Sequence, residues 1–111
     1  MGNIITGNTS MLILELINQR DMYGYELMEE LEKRSQGKFK LKAGTLYPLL
    51  HNLEKEGNIE TYSKEFNGKV RKYYKITATG NEELEKQKKQ WKEFYNAVNG
   101  ILGGNKGVLQ N

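Results

Sequence analysis

The pattern of apolar residues along the chain predicts four helices and one β-hairpin. Residues 11–17 are apolar at every position except Glu15, and Thr9 or Ser10 can cap this segment as the first helix. A helix that is apolar nearly all round must bury two faces. One face can pack on the core of its own domain, so we expect the other face to need a second partner, such as another subunit.

Two more helices are predicted before the hairpin, over residues 23–34 and 45–56. The later one has Leu at positions i, i+3, i+4 and i+7, which is typical of an amphipathic helix. Proline is tolerated in the first turn of a helix, where its missing N–H is not needed. Pro48 therefore predicts that this helix begins at Gly44 or Thr45.

A hairpin is predicted where residues 59–66 and 69–77 flank Asn67-Gly68. Asn-Gly between arms rich in β-branched and aromatic residues indicates a two-residue turn, because both turn positions need positive φ. The predicted register pairs Ile59 with Ile76, Glu60 with Lys75, Tyr62 with Tyr73 and Lys64 with Arg71. One face then offers Ile59, Tyr74 and Ile76 to the core. The other face is basic and aromatic, with Tyr62, Lys64, Phe66, Lys69, Arg71, Tyr73 and Lys75.

The last predicted helix covers residues 78–102 and carries apolar residues at heptad spacing. Leu84, Trp91 and Val98 are seven residues apart, as are Phe94 and Ile101. At about 1.5 Å per residue this helix is over 30 Å long, too long for a small domain to cover. We therefore expect it to dimerise. The predicted organisation is a flexible arm (1–8), a domain of three helices and the hairpin (9–77), a dimerisation helix (78–102) and a flexible tail (103–111).

The composition of the chain excludes several classes of function. A chain of 111 residues with 37% hydrophobic residues makes one domain with a small core, and such domains often oligomerise. There is no apolar run of 18 residues, so we expect no membrane partner. With no Cys and only His51, the chain offers no predicted metal site and no cofactor. No catalytic constellation is apparent, so we expect no enzyme.

The charge distribution points to a polyanion. Residues 36–76 contain nine Lys or Arg and four Asp or Glu, a net charge of +5, while the rest of the chain has −2. The basic segment covers the third helix and the hairpin. Three helices followed by a basic hairpin are the layout of a winged helix-turn-helix, in which the third helix enters the major groove and the wing contacts the DNA backbone. The predicted fold class is mainly α with a β-hairpin: a winged helix-turn-helix, which makes residues 9–77 the DNA-binding domain, followed by a long C-terminal dimerisation helix.

Four segments carry a resemblance to the PadR family of bacterial transcriptional regulators, which extends over about residues 9–102. They are Tyr23-Gly24-Tyr25-Glu26-Leu27, Gly44-Thr45-Leu46-Tyr47-Pro48-Leu49-Leu50, Leu53-Glu54-Lys55-Glu56-Gly57 and Arg71-Lys72-Tyr73-Tyr74-Lys75-Ile76-Thr77. The single C-terminal helix resembles the small-subunit branch of the family. The resemblance implies a cytoplasmic bacterial homodimer, in which this helix packs with the first helix of the partner and the dimer binds a pseudo-palindromic operator in double-stranded DNA.

The predicted sites follow from the layout and from the resemblance. Asn52 can bond an adenine edge bidentately, although it is equally typical of a solvated helix surface. The DNA-contacting candidates are Lys42, Ala43, Thr45, Tyr47, Pro48, His51, Asn52, Lys64, Lys69, Arg71 and Lys72. The dimer candidates are Leu12, Leu16, Leu84, Trp91, Phe94, Tyr95, Val98, Ile101 and Leu102.

Trp91, the only Trp, has two interpretations. Some PadR members bind flat aromatic compounds between subunits, with a Trp of this helix stacking on the ligand, and Trp91 matches that place. The resemblance thus implies a planar aromatic ligand contacting Trp91, Phe94, Tyr95 and Met11. The other interpretation is packing alone, which is common for aromatic residues at helical spacing.

The sequence supports three functional hypotheses to different degrees. The leading hypothesis is a sequence-specific regulator, in particular a repressor that a small aromatic ligand releases. The alternative is an architectural or effector-free winged-helix protein, which would bind DNA with little sequence preference. A protein-interaction module is disfavoured, because it leaves the lysines of residues 38–42 and of the wing without a role.

Overall fold

The computed structural model describes residues 2–103, with side chains from residue 8 onwards. Met1 of the predicted arm and residues 104–111 of the predicted tail lie outside the described residues. The elements in chain order are α1 (Gly2–Gln19), β1 (Met22–Tyr23), α2 (Gly24–Arg34), α3 (Ala43–Lys55), β2 (Ile59–Phe66), β3 (Lys69–Ile76) and α4 (Ala78–Ile101). Within this part of the chain, no helix combines the length and hydropathy needed to span a bilayer.

Helix α1 is longer than predicted. It begins at Gly2, so residues 2–8, predicted as a loose arm, are helical. Thr9, predicted as a cap, is buried inside the helix. No proline interrupts this segment, and extending a helix that is already formed gains one hydrogen bond for each residue added. The apolar run from residue 11 therefore does not mark the start of the helix.

The second apolar face of α1 is covered largely by α4 of the same chain. Ile13, Leu14 and Ile17 are fully buried in the core. The packing of the two helices is flanked by an Asn81 Nδ2–Asn18 Oδ1 hydrogen bond of 3.0 Å and a Lys88 Nζ–Glu15 Oε1 ion pair of 3.3 Å. The requirement for a second partner is thus met in part within the chain.

Leu16 and Leu84 correct the predicted dimer interface. Leu16 is 5% exposed and Leu84 is fully buried, and both belong to the hydrophobic core of this domain. A second subunit cannot reach them without displacing that core. The heptad spacing was misleading at Leu84, because the first half of α4 uses the same stripe to pack on its own α1.

Helix α3 begins at Ala43, one or two residues before the predicted start, and its leucines face the core. The Lys42 carbonyl accepts the Leu46 N–H at 2.9 Å, which closes the first turn. Pro48 is consequently the sixth residue of the helix and not part of its first turn. The carbonyl of Gly44 loses its helical donor at Pro48, but Gly44 is exposed and water can replace that donor.

The hairpin has the predicted register. Ile59 pairs with Ile76 and Lys64 pairs with Arg71. Asn67 and Gly68 adopt φ of 52° and 79°, as a two-residue turn between right-handed twisted strands requires. The wing, defined here as β2, β3 and this turn, therefore confirms the prediction from Asn-Gly.

The short strand β1 was missed, and it changes one face of the wing. It adds to β3 in the order β1-β3-β2, with Tyr23 opposite Tyr73. Tyr73, predicted on an exposed face, is only 7% exposed. The Tyr62 ring stacks on it with centroids 5.7 Å apart, and the Tyr23 ring meets it edge-on at 5.5 Å. Two residues are too few to show the alternation by which strands are recognised.

Candidate nucleic-acid interface

Helix α3 presents one continuous exposed surface opposite its buried leucines. Leu46, Leu50 and Leu53 anchor the helix in the core. All predicted DNA-contacting residues at its start and along its outer side are exposed: Lys42, Ala43, Thr45, Tyr47, Pro48, His51 and Asn52. Among the described residues, no hydrogen bond or ion pair engages the side chains of His51 and Asn52. Their polar atoms are therefore free for an external partner.

The wing carries cations over aromatic rings. The Arg71 guanidinium lies 4.4 Å from the centroid of the Tyr23 ring and 5.5 Å from that of Phe66. Lys64 Nζ lies 5.4 Å from the centroid of the Tyr73 ring. These contacts restrain the long side chains while leaving their charges accessible, since cation–π contacts do not neutralise a charge.

The four predicted phosphate cations of the wing do not share one face. Lys64 pairs with Arg71, and Lys69 pairs with Phe66, which places Lys64, Lys69 and Arg71 on one face. Lys72 pairs with Ser63 on the opposite face, where its Nζ lies 5.8 Å from the centroid of the Tyr74 ring. Because side chains alternate along a strand, one flat contact cannot use all four.

A hydrogen bond holds the wing to the body of the domain. The Tyr62 hydroxyl donates to Asp21 Oδ2 at 2.6 Å, and Asp21 lies in the turn after α1. This hydrogen bond, with smaller contributions from burial and from the carboxylate charge, raises the pKa of Tyr62 to about 12. The hydroxyl therefore stays protonated at neutral pH and continues to donate.

A cavity of about 240 Å³ lies where the start of α2, the start of α3 and the wing meet. We call it the Tyr74 cavity, and it is lined by Tyr23, Gly24, Tyr47, Arg71, Lys72 and Tyr74. A Cβ on Gly24 would collide with the Tyr47 hydroxyl, so only glycine allows this approach. Sequence reasoning identified Tyr47, Arg71 and Lys72 but missed the other three. In the sequence, this cavity is marked by the Tyr23-Gly24 pair at the start of α2.

The second half of α4 exposes a run of apolar residues. Ile101 is 85% exposed and Phe94 is 64% exposed. The Trp91 and Tyr95 rings stack with centroids 5.1 Å apart. Leu102 is exposed and Val98 is half-buried. Met11 and Leu12 are half-buried against the domain core, whereas Trp91 and Tyr95 are exposed.

A comparison with protein-family models identifies the family of this chain. The model described as "Transcriptional regulator PadR-like family" matches residues 13–86. The chain belongs to the PadR-like family. A PadR-like transcriptional regulator from Bacillus cereus is 38% identical, with a TM-score of 0.82, over 93% of this chain and 99% of that one.

Two curated relatives are similar to this chain over most of its length, and one of them is named as a transcriptional regulator. Transcriptional regulator Rv3488 of Mycobacterium tuberculosis is 29% identical over 92 residues, which are 83% of this chain and 80% of the relative. Uncharacterized protein X of Lysinibacillus sphaericus is 37% identical over 103 residues, which are 92% of this chain and 94% of the relative. The predicted family and the winged-helix fold are confirmed.

PadR-like proteins are DNA-binding transcriptional regulators and not enzymes. The matched residues 13–86 include α3, the wing and the Tyr74 cavity. They end before the exposed apolar residues of α4, from Trp91 onwards. Within residues 8–103 no cluster of three His, Cys, Asp or Glu side chains is placed to hold a metal ion.

Proposed function

We propose that this PadR-like regulator is a sequence-specific repressor that acts as a homodimer in the bacterial cytoplasm. The observation that carries the proposal is the free, exposed polar surface of α3 beside a cationic wing. A helix of this kind enters the major groove with its exposed side chains against base edges. The wing cations then contact the phosphates on either side, and a dimer that covers a promoter excludes the polymerase.

Within this proposal, the residues of α3 and the wing have separate roles. Asn52 bonds an adenine edge and so reads sequence. Lys64, Lys69 and Arg71 bind phosphates of the strand that faces their side of the wing, and Lys72 binds from the opposite face. Phosphate contacts position the protein, whereas base contacts specify the site. Lys42, Ala43, Thr45, Pro48 and His51 complete the groove-facing surface of α3.

The proposed dimer is built from the second half of α4. Trp91, Phe94, Tyr95, Ile101 and Leu102 form an exposed apolar stripe of the kind that marks an interaction surface in a protein of this size. Val98 lies within the stripe, and Leu12 on α1 offers further apolar surface for the partner. The same stripe on both subunits makes a self-complementary interface, as two-fold symmetry requires.

We expect footprinting on the DNA upstream of the protein's own gene to show a protected pseudo-palindrome. Two α3 helices related by a two-fold axis should occupy half-sites about 10 bp apart, or a multiple of that distance. Replacing Asn52 by Ala should change the relative affinities among altered half-sites, and Lys33→Ala, a change on an exposed residue of α2, should not. Uniform protection without sequence preference would instead favour the architectural, effector-free alternative.

We further propose that a planar aromatic ligand binds between the subunits against Trp91, Phe94, Tyr95 and Met11, and releases the repressor. The support is the stacked pair of Trp91 and Tyr95, which is more exposed than core aromatic residues usually are. A flat ligand would stack on this pair and bury apolar surface. Because α4 would set the distance between the two wings, a ligand that prefers one dimer geometry would change the affinity for DNA.

We expect planar cationic or phenolic compounds to quench the fluorescence of Trp91 saturably and to weaken operator binding by about fivefold or more. Titrations of a compound panel, followed by DNA-binding measurements with each quencher, check this. A Trp91→Ala dimer should lose the response of its DNA affinity to the same compounds. If no compound quenches, or if quenching leaves the DNA affinity unchanged, Trp91 has a packing role only.

A further inference from the structure

The dipeptide Asn-Gly occurs twice in the sequence, as Asn67-Gly68 and as Asn99-Gly100. Asparagine side chains deamidate most readily before glycine, because glycine has no side chain to hinder the attack of its backbone nitrogen on the asparagine amide. The two copies have the same chemistry but lie in different local structures. The local structure therefore decides which copy reacts.

Asn67-Gly68 is the exposed turn of the wing. The ladder of the hairpin ends at the pair of Phe66 and Lys69, so the Gly68 N–H lies outside it. The Asn67 side chain is exposed, and no residue of the described chain forms a hydrogen bond with it. A Cβ built on Gly68 would meet no atom within 4 Å. The turn can therefore change conformation, and bring the Asn67 amide to the Gly68 nitrogen, while the ladder stays paired.

Asn99-Gly100 is held inside α4. Asn99 Nδ2 donates to the Tyr95 carbonyl at 3.3 Å, which directs the side-chain amide back along the helix. The helical ladder continues past the dipeptide, since the Leu102 N–H donates to the Val98 carbonyl at 2.9 Å. Within such a helix the Gly100 nitrogen donates to the carbonyl of the preceding turn. Attack at Asn99 therefore requires the end of α4 to open first.

The charge around the turn of the wing also favours the reaction. The Gly68 nitrogen loses its proton as it attacks, and the tetrahedral intermediate is an anion, so nearby cations stabilise it. Residues 64–71 contain three Lys or Arg and one Glu, whereas residues 95–103 contain no charged side chain. The turn of the wing thus has a local positive charge that the end of α4 lacks.

We propose that Asn67 is a site of spontaneous deamidation, and that this modification weakens the binding of DNA by the wing. A bond forms between the Gly68 nitrogen and the carbonyl carbon of the Asn67 side chain. The bond from that carbon to the side-chain nitrogen breaks, and ammonia leaves with the proton that the Gly68 nitrogen gives up. Water then opens the succinimide ring at either carbonyl, which leaves Asp or isoaspartate. Nothing is oxidised or reduced.

The two products change the wing in different ways. The Asp product keeps the turn, because Asp-Gly suits the same turn as Asn-Gly, but it adds a negative charge next to Lys69. The isoaspartate product has the same charge and also inserts a methylene into the backbone, which disturbs the register that the turn sets. The effect on DNA binding rests on the proposed contact of the wing with phosphates, whereas the modification itself does not.

Ageing of the full chain in warm, mildly alkaline buffer, followed by peptide mapping with mass spectrometry, tests the modification. We expect Asn67 to convert at least about tenfold faster than Asn99, because α4 must first open locally. In guanidinium chloride, which removes both local structures, the two sites should convert at similar rates. If the folded protein converts Asn99 as fast as Asn67, or does not convert Asn67, the proposal is overturned.

The effect of the added charge is measured with Asn67→Asp. This variant should bind the upstream DNA and a mixed-sequence duplex about fivefold more weakly for each bound subunit at physiological salt, because the new carboxylate offsets one cation. The charge-matched control is Asn96→Asp, a change on an exposed residue of α4. It should bind both DNAs as the wild type does.

The variant Asn67→Gly separates deamidation from other effects of ageing. Gly-Gly also suits this turn and has no side-chain amide to lose, so the aged variant should keep its affinity for DNA while the aged wild type loses affinity. If the aged wild type, with Asn67 converted, binds DNA with its initial affinity, the proposed effect on the wing is overturned. If fresh wild type binds no DNA, the proposed function fails, but conversion at Asn67 still supports the modification site.

Discussion

Replacing Val98 and Ile101 by Glu is expected to convert the protein from a dimer to a monomer. Ile101 is 85% exposed and Val98 half-buried in the isolated chain, so neither change disturbs the core of the domain. In the proposed interface, two-fold symmetry brings four new carboxylates into apolar surroundings. An unpaired buried charge costs about 3 kcal/mol or more, which corresponds to about 100-fold in dissociation constant for each site.

Sedimentation equilibrium measures this change directly. The matched control is Asn96→Glu/Gly100→Glu, which adds the same two charges to α4 on exposed positions away from the apolar stripe. The control should remain a dimer, and both variants should keep the helical circular dichroism of the wild type. The Val98/Ile101 variant should also lose cooperative occupation of two half-sites. A mass that stays dimeric in this variant would exclude α4 as the dimerisation helix.

The triple change Lys64→Ala, Lys69→Ala and Arg71→Ala is expected to weaken binding to all DNA sequences by about the same factor. Each lost phosphate contact removes about 0.9 from the slope of log K against log salt. Three lost contacts therefore reduce the affinity on the order of 100-fold for each bound subunit at physiological salt. The loss is uniform because phosphates carry no sequence information.

Binding isotherms at several salt concentrations, on the operator and on a mixed-sequence duplex, test this expectation. The control Lys33→Ala, Lys86→Ala and Lys89→Ala removes the same charge from exposed positions of α2 and α4 and should leave the slope nearly unchanged. Arg71 also contacts the Tyr23 ring, so Lys64→Ala/Lys69→Ala should be measured separately. Normal binding by the triple variant would rule out the wing as a phosphate contact.

The sequence predicted those parts of the fold whose signal lies within one element. The leucine spacing of α3 and the Asn67-Gly68 turn each determine local geometry by themselves, and the hairpin register follows from the turn. The heptad stripe of α4 was less informative. It shows that Leu84 and Ile101 share an apolar face, but it does not say whether the covering helix belongs to the same chain.

The part of the site that lies on α3 was also predictable from the sequence, whereas the part formed by several segments was not. Exposure of Asn52 and His51 follows from the buried leucines of α3, because a helix alternates its faces with a fixed period. The Tyr74 cavity was not predictable, since its lining comes from three segments, near residues 24, 47 and 72. Periodicity describes one segment at a time and carries no information on how the segments meet.

The Tyr62–Asp21 hydrogen bond has a consequence for the energetics of recognition. A free hairpin would lose conformational entropy each time it settled on DNA, and that loss would be subtracted from the affinity. Here the wing is fixed to the turn after α1 when the chain folds, and α1 packs on α4. The orientation of the wing relative to α1 is therefore set when the chain folds, and in the proposed dimer a shift of one subunit against the other would carry its wing along.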